Sequence, residues 1–376
     1  MTPLLDPKKD PERRCLKVEQ WPDADRLAWA NVIKPGNLLD DAGLGAHWSR
    51  HTSHTIARCY GGWLTWLDRN GILDRRASSA NRVTPERIVR YIDDLRLRNA
   101  PLTVLSRIRE LCNAIQAMAP DRDWGWLHKI IRRLRRNAKP IRRKAALIVP
   151  SEHLWRYGIE LMDAADAVES RKPLLSRAAQ YRDGLMISLL AARPIRRRNL
   201  ASIEIGRHLI HQGEKYWICF PAPETKTGRP YAAPLPLPLN RYLERYLAHY
   251  RPFLVQHKGR WGETRSLQEP GDRLWISNYA SAMSDGALYG RVTKLTGARF
   301  GHKIFPHLFR DVAATSITVE APEHVQIIPG HLGHSTSATS EKHYVHARSL
   351  EATRKYQAHL LGLRVERPRG ANGVDR

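Results

Sequence analysis

A dense run of positive charge interrupts the first half of the sequence and separates two segments that are each rich enough in apolar residues to fold. Between Lys129 and Lys144, nine of the sixteen residues are basic and none is acidic. Pro140 lies inside this run and excludes one uninterrupted helix, because proline has no backbone N–H to donate. The chain has 376 residues, more than the ~100–200 of a single domain. We therefore expect two domains joined by a basic linker.

The charge of the whole chain points to a polyanionic partner. Lysine and arginine total 62 and aspartate and glutamate total 37, so the net charge is +25. Hydrophobic residues nevertheless make up 42% of the sequence and include 11 tryptophans, enough to form buried cores. We expect a folded protein whose positive field favours nucleic acid, rather than a disordered basic tail.

Several other classes of protein are disfavoured. The apolar stretch from Leu185 to Ala192 is too short to cross a bilayer, and the N-terminal residues lack the apolar region of a signal peptide. The four cysteines, Cys15, Cys59, Cys112 and Cys219, are too far apart to suggest a zinc finger or a disulfide framework. We expect a cytoplasmic protein without a membrane partner.

Apolar periodicity predicts a helical domain followed by a larger, mainly helical domain with a small antiparallel sheet. Ile56, Trp63, Leu64 and Leu67 share one helical face, whereas the stretches on either side of the turn at Thr227–Pro230 are typical of short strands. The expected ranges are an N-terminal arm at 1–39, a helical domain at 40–138, a basic linker at 139–149, the larger domain at 150–363 and a C-terminal tail at 364–376.

Four short patterns in the larger domain carry residues suited to phosphate chemistry. One arginine closes an apolar helix, a lysine lies on the turn between strands, a His-Leu-Phe-Arg segment opens a helix, and a Leu-Gly-His segment precedes a tyrosine by ten residues. The candidate catalytic residues are Arg196, Lys226, His307, Arg310, His334 and Tyr344.

The order and content of these patterns resemble the tyrosine recombinase (phage integrase) family over roughly residues 150–363. The resemblance implies a two-domain DNA clamp, made of a helical, SAM-like core-binding domain and a catalytic domain. It also implies strand cleavage through a 3′-phosphotyrosyl intermediate, without a cofactor or metal ion. The implied partners are double-stranded DNA with paired core sites, three further copies of the chain in a tetramer, and accessory DNA-bending proteins in a prokaryotic nucleoid.

Physical chemistry supports these roles for the residues. The forked guanidinium groups of Arg196 and Arg310 can stabilise charge on the non-bridging phosphate oxygens. Tyr344 can exchange one phosphodiester for another, and its phenol, with a pKa of ~10, is a good leaving group for the reverse step. Lys226 can protonate the departing 5′-oxygen, and the two histidines can bind the phosphate or help to deprotonate the tyrosine.

Some residue assignments remain open at this level. Arg196 is one of three successive arginines, Arg229 competes with Lys226, and His331 competes with His334. The chain also departs from the family pattern. Asn199 stands where an acidic residue is usual, Asp311 stands where a histidine often follows the second arginine, and the spacing from His334 to Tyr344 is one residue longer than the commonest.

The basic run offers a second kind of functional surface. We predict that it contacts the phosphate backbone, and the alternative is a merely solvated linker. The candidate DNA-binding residues are Lys129, Arg132, Arg133, Arg135, Arg136, Lys139, Arg142, Arg143 and Lys144. A histidine-rich metal site is the less favoured interpretation of the segment containing His324, His331, His334, His343 and His346, because no HExxH or CxxC pattern occurs there.

Two other functions remain as alternatives to a recombinase of a mobile element. One is a non-catalytic DNA-binding regulator on the same fold, and the other is a relaxing enzyme of type IB topoisomerase chemistry. The segment from Ser349 to Leu363 is predicted to form a helix that docks on a neighbouring copy or packs on its own domain.

Overall fold

The computed structural model of the chain describes residues 15–139, 147–168, 171–257 and 270–320. The chain forms two compact units, Met1–Arg143 and Lys144–Arg376. The boundary between them falls inside the range expected to be the basic linker. Within these ranges the architecture is mainly helical with a small antiparallel sheet, which confirms the predicted fold class.

The first unit is a bundle of helices that begin at ordinary start signals. Ser49 and Thr84 each lie just before a helix, and each side-chain oxygen accepts a backbone N–H from the first turn. Pro85 and Pro101 open two of the helices, where a missing N–H donor costs nothing. The helices are α1 (Asp23–Ile33), α2 (Arg50–Arg69), α3 (Ser79–Arg82), α4 (Pro85–Arg98), α5 (Pro101–Met118) and α6 (Gly125–Asn137).

The core of this helical unit is built largely from aromatic rings. Trp63 stacks on Trp66 with ring centroids 5.2 Å apart, and Tyr91 packs edge-on against Trp63 at the same distance. Helix α1 contributes Trp29 and Val32 to this core, although it lies in the range that the sequence analysis assigned to an N-terminal arm. The folded bundle of the first unit therefore includes residues before position 40.

A fully buried ion pair connects α1 to α3 inside the helical unit. Nη1 of Arg82 lies 2.7 and 2.6 Å from the two carboxylate oxygens of Asp25, and both side chains are 0% exposed. The hydroxyl of Tyr60 donates to the same carboxylate at 2.8 Å. Burial raises the pKa of Tyr60 well above its usual value, and the negative charge of Asp25 raises it further, so the hydroxyl of Tyr60 remains a hydrogen-bond donor.

The second unit packs helices around one central helix and a three-stranded antiparallel sheet in the order β1-β2-β3. Leu209 pairs with Ile218 and Phe220 pairs with Tyr231 across the two strand pairs. A π-helical turn at Tyr246–Tyr250 connects α10 to α11. The elements are α7 (Ser151–Asp166), α8 (Leu174–Ala192), α9 (Arg197–Ser202), β1 (Leu209–Gln212), β2 (Lys215–Phe220), β3 (Tyr231–Pro234), α10 (Asn240–Arg245), α11 (Arg251–Gln256), α12 (Asp285–Phe300) and α13 (Leu308–Glu320).

Helix α8 is the centre of the second unit, and it is buried from Ala178 to Leu190 except at Gln180. Gly158 of α7 and Gly184 of α8 face each other so closely that a Cβ atom on either would collide with the backbone of the other helix. The buried carboxylate of Asp183 accepts hydrogen bonds from Arg182 and from Arg291 of α12. Among the described residues, no helix is long and apolar enough to cross a membrane.

We expect Asp25→Ala to destabilise the helical unit by about 3–5 kcal/mol, because it leaves the guanidinium of Arg82 buried without its counter-ion. Asp23→Ala is the matched control. It removes an aspartate from the same helix whose ion pair with Arg26 is exposed to solvent, and it should cost less than about 1 kcal/mol. Urea unfolding followed by tryptophan fluorescence measures both changes. Equal losses in the two variants would contradict a stabilising role for the buried pair.

Candidate functional site

Two of the candidate arginines are brought together from distant parts of the second unit. Arg196 lies at the N-terminal end of α9, and Arg310 lies in the first turn of α13. Nη1 of Arg310 donates to the carbonyl oxygen of Pro194 at 2.8 Å, across 116 residues of sequence. The helix that carries one arginine is therefore fixed to the loop that carries the other.

The two guanidinium groups also influence each other electrostatically. Burial, and next the positive charge of Arg196, lower the pKa of Arg310 to about 10. Burial likewise lowers the pKa of Arg196. Two cations close to each other and partly removed from water are costly unless an anion neutralises them. The pair is thus suited to bind a group with several negatively charged oxygens, such as a phosphate.

The structure also distinguishes Arg196 from the two arginines that follow it. Arg197 forms an ion pair with Asp285 of α12 at 2.9 Å, and its guanidinium lies 5.4 Å from the ring centroid of Tyr289. Arg198 is exposed. Arg196 is the half-buried member of the three and lies next to Arg310, and its catalytic role stays a prediction.

Lys226 is exposed on a tight turn that leads into β3. The Thr225 hydroxyl accepts the N–H of Arg229 at 3.2 Å and donates to its carbonyl oxygen at 2.7 Å. Gly228 has a φ of 64°, a left-handed conformation that glycine adopts without steric cost. This turn presents Lys226 and Arg229 to solvent together, so both remain candidates for the lysine role.

The remaining candidate residues are only partly within the described chain. His307 is exposed immediately before α13, and its carbonyl oxygen accepts the N–H of Arg310 at 3.2 Å. His334 and Tyr344 lie outside the described residues, as does His331. The same applies to His324, His343 and His346 of the less favoured metal interpretation. Within the described ranges, no group of three histidine, cysteine, aspartate or glutamate side chains could hold a metal ion.

Two residues beside the arginine pair were not identified from the sequence. Tyr231 begins β3, and although burial raises its pKa, the charges of Arg193 and Arg310 act in the opposite direction, which places all three side chains near one another. Nε of Arg193 donates to the carbonyl oxygen of Pro234 at 2.8 Å and so fixes the end of β3 to the end of α8. Arg193 lies three residues before Arg196, and this proximity is the only sequence signal that could have suggested that it lies beside the arginine pair.

The basic run occupies the exposed side of α6 in the helical unit. Leu127 and Ile131 are buried in the core, which turns the basic residues of the helix outward. Helix α6 ends at Asn137, before Pro140. The exposed residues are Lys129, Arg132, Arg133, Arg135, Arg136 and Lys139, whereas Arg142, Arg143 and Lys144 lie outside the described residues.

A basic groove of about 880 Å³ in the helical unit is a surface that the sequence analysis missed. Helices α2, α4 and α5 form it, and its aromatic side chains are Trp66 and Tyr91. Asp94 also lines it but is engaged in an ion pair with Arg98. The groove takes its positive character from its arginines, and two histidines also line it; these residues are Arg58, Arg69, Arg98, Arg107, His51 and His54.

We expect sulfate to raise the melting temperature of the wild-type chain more than that of Arg196→Ala, because the anion would bind between Arg196 and Arg310. An anion at one hundred times its Kd stabilises a folded protein by about 2.7 kcal/mol. Arg198→Ala is the matched control and should respond as the wild type does. Sulfate also stabilises folded proteins non-specifically, so the difference between variants in scanning calorimetry is the measurement. Identical responses in all three proteins would argue against an anion site at Arg196.

Comparison with known proteins establishes the fold. No protein-family model and no curated protein matches the sequence. The XerH site-specific recombinase bound to difH substrate, in its pre-cleavage complex, has a TM-score of 0.52 at 15% identity, with 81% of this chain and 78% of that chain covered. The post-cleavage complex of XerH with palindromic difH gives 0.51 at 14% identity, covering 78% of this chain and 75% of that one.

A lambda integrase(75–356) dimer bound to a COC′ core site is also similar, with a TM-score of 0.46 at 13% identity over 80% of this chain and 91% of that chain. The two XerH structures carry the conclusion, since both exceed a TM-score of 0.5. They confirm, at the level of the fold, the resemblance to tyrosine recombinases that the motifs indicate. The chain has the mainly helical fold, with a small antiparallel sheet, of the site-specific recombinase XerH.

Proposed function

We propose that this chain is a site-specific DNA recombinase that cleaves and rejoins DNA strands through a tyrosine–DNA intermediate. The observation that carries the proposal is the pairing of Arg196 with Arg310, which the Arg310–Pro194 hydrogen bond fixes in place. This pair lies on a fold shared with a recombinase whose crystal structures contain its DNA substrate before and after cleavage.

The arginine pair suits the transition state of phosphodiester cleavage. Negative charge redistributes over the two non-bridging oxygens when a fifth oxygen approaches the phosphorus. Two guanidinium forks held in advance can donate to these oxygens without reorganising at the moment of reaction. Because the charges of Arg196 and Arg310 are already close together and partly buried, a bound phosphodiester relieves their repulsion.

The other candidate residues complete the proposed reaction. The phenolic oxygen of Tyr344 attacks the phosphorus and forms a 3′-phosphotyrosyl bond, while the bond to the 5′-oxygen breaks. Lys226 donates a proton to that departing oxygen, and His307 or His334 binds the phosphate or accepts the phenolic proton. In the second step a 5′-hydroxyl attacks the phosphotyrosyl bond and releases the tyrosine. The bond energy is conserved, so the reaction needs no ATP.

Two basic surfaces of the helical unit would hold the DNA. The exposed cations of α6 suit the phosphate backbone, because each neutralised phosphate releases a counter-ion. The groove formed by α2, α4 and α5 combines cations with polar groups such as Thr55 and Ser106, which can contact base edges. We propose that α6 positions the duplex and that the groove contributes to sequence recognition.

Strand exchange requires more than one copy of the chain. Four strands must be cut to recombine two duplexes, and each tyrosine cuts one, which gives a tetramer on paired core sites. Integration or excision of a mobile element, with accessory DNA-bending proteins, is the biological setting that we propose. The site of action would be the prokaryotic nucleoid.

Tyr344 is expected to be the residue that becomes covalently linked to DNA. A nicked suicide substrate, which loses its 5′-hydroxyl strand after cleavage, should trap the adduct, and mass spectrometry of the DNA-linked peptide should identify it. Tyr344→Phe should yield no adduct and still bind DNA at close to wild-type affinity, because one hydroxyl contributes little beside many phosphate contacts. The reaction is run in excess EDTA, where cleavage should continue.

The same assay separates the alternative functions. An adduct on Tyr289, Tyr356 or a serine would show that the nucleophile is misassigned. Tight DNA binding without any adduct would favour a non-catalytic regulator. Relaxation of supercoiled plasmid without exchange between paired sites would favour topoisomerase chemistry.

The four arginines Arg132, Arg133, Arg135 and Arg136 of α6 should contribute to DNA binding through phosphates alone. Replacing all four with glutamine should flatten the slope of log K against log salt by roughly 3–4 if each touches one phosphate, since each contact contributes about −0.9. Affinity should fall equally for cognate and scrambled duplexes, because phosphate contacts do not read bases. Titrations at several salt concentrations measure both effects.

A charge-matched control separates local contact from net charge. Four exposed arginines that each form an ion pair with a nearby acid can be replaced with glutamine in the same way; they are Arg26, Arg96, Arg156 and Arg245. This control should leave the slope close to that of the wild type. Equal flattening in both variants would indicate a general charge effect, and a loss restricted to cognate DNA would indicate that α6 reads sequence.

A further inference from the structure

The turn that carries Lys226 is anchored at its base by contacts from two other parts of the second unit. All of them converge on Glu224, two residues before the lysine. Nδ2 of Asn199 donates to the backbone carbonyl oxygen of Glu224 at 3.1 Å. Asn199 is 9% exposed and lies in α9, the helix that begins immediately after Arg196. The arginine and the lysine turn are therefore connected through one short helix and one hydrogen bond.

The side chain of Glu224 is held separately by His208 and Arg207. Nε2 of His208 lies 2.8 Å from Oε2 of Glu224, and Arg207 donates to the other carboxylate oxygen. His208 itself is 1% exposed, and its ring packs against Phe220 of β2 with centroids 4.8 Å apart. The glutamate is consequently fixed to the sheet by its side chain and to α9 by its backbone.

The backbone around His208 determines which ring nitrogen carries the proton. The N–H of Glu204 donates to Nδ1 of His208 at 3.1 Å, so Nδ1 is an acceptor. The proton then lies on Nε2, which donates a hydrogen bond to the carboxylate of Glu224. A buried, oriented donor of this kind fixes the direction of the carboxylate as well as its distance, as hydrogen bonds from a supporting residue do in other enzyme sites.

This anchoring matters because lysine is a flexible proton donor. Its ammonium group sits on a four-carbon stem with many rotamers, and a general acid must come within about 2.6–3.2 Å of the oxygen that it protonates. Thr225 and Gly228 determine the shape of the turn, but they do not determine where the turn lies relative to the arginine pair. The contacts on Glu224 hold the base of the turn against α9 and the sheet.

We propose that Asn199 and the His208–Glu224 pair are positioning residues. They hold the turn of Lys226 at a fixed position relative to Arg196, so that the lysine can donate a proton to the departing 5′-oxygen. The inference rests on the proposed recombinase function and on the role of Lys226 in it. Asn199 occupies the position at which tyrosine recombinases usually have an acid, so in this chain an amide donor to a carbonyl oxygen performs the connection between the two segments.

The test compares two DNA substrates that differ in their need for a general acid. In natural DNA the leaving group is an alkoxide, which requires a proton. In DNA with sulfur in place of the 5′-bridging oxygen, the leaving group is a thiolate, which is stable without one. Lys226→Ala should slow cleavage of natural DNA by about 10²–10⁴-fold, the usual contribution of acid–base catalysis, and cleave the sulfur substrate at close to the wild-type rate.

Asn199→Leu should reproduce this pattern in weaker form, because it keeps the side-chain size and removes the donor to Glu224. We expect a loss on the order of ten-fold or more on natural DNA and a loss of no more than a few-fold on the sulfur substrate. Glu224→Gln weakens the contact with His208 at a less buried position. It should also slow cleavage of natural DNA more than cleavage of the sulfur substrate, and it replaces Asn199→Leu as the test if that variant does not fold.

Asn240→Leu is the matched control. Asn240 also donates through Nδ2 to a backbone carbonyl on a turn, that of Glu214, at 2.7 Å, but this turn joins β1 to β2 and does not carry Lys226. The control should change cleavage of the two substrates equally, if at all.

The outcomes are distinct. Equal losses of cleavage rate on both substrates in Asn199→Leu and Glu224→Gln would show that the two residues have only a structural role. This result would overturn the inference and leave the proposed function in place. Full activity of Lys226→Ala on natural DNA would remove the lysine from the reaction, and the inference with it, but would leave strand cleavage in place. Failure of the wild-type chain to cleave either substrate would overturn the proposed function itself.

Discussion

The hydrogen bond from Arg310 to the carbonyl oxygen of Pro194 is the contact on which the candidate site depends. It joins the last described helix to the end of the central helix α8, and it orients one guanidinium by occupying one of its N–H groups. The positive charge of Arg196 acts on this same guanidinium group. A flexible arginine on the surface could reach the same place, but it would lose side-chain entropy each time it did so.

The position of Pro194 is in turn determined by the packing of α8. The close approach of Gly158 and Gly184 sets the distance between α7 and α8, and the Asp183 carboxylate joins α8 to α12 through Arg291. The site is therefore at the end of a rigid, buried helix rather than on a free loop. Preorganisation of this kind is what allows fixed cations to stabilise a transition state without a reorganisation cost.

The features that sequence predicted well were those with strong local signals. The apolar face around Trp63 and Leu64 marked α2, and the turn near Gly228 marked the strands on either side of it. Helix α1 was missed because only three of its 11 residues are buried, and one of these is the charged Asp25. The Asn199–Glu224 contact and the basic groove could not be predicted, because each depends on how separate elements meet, and one sequence carries no information about those distances.

The aromatic core of the helical unit makes the two units spectroscopically unequal. Seven of the 11 tryptophans lie in residues 15–139, and Trp63 and Trp66 are stacked at 5.2 Å, close enough for their excited states to couple. Fluorescence and the exciton signal in circular dichroism therefore report mainly on the helical unit. Trp66 also lines the basic groove, so the emission of the chain contains an internal probe of what enters that groove. In the second unit, the indole of Trp275 donates to the carbonyl oxygen of Leu200 in α9 at 2.8 Å, so a smaller part of the emission reports on the helix that follows Arg196.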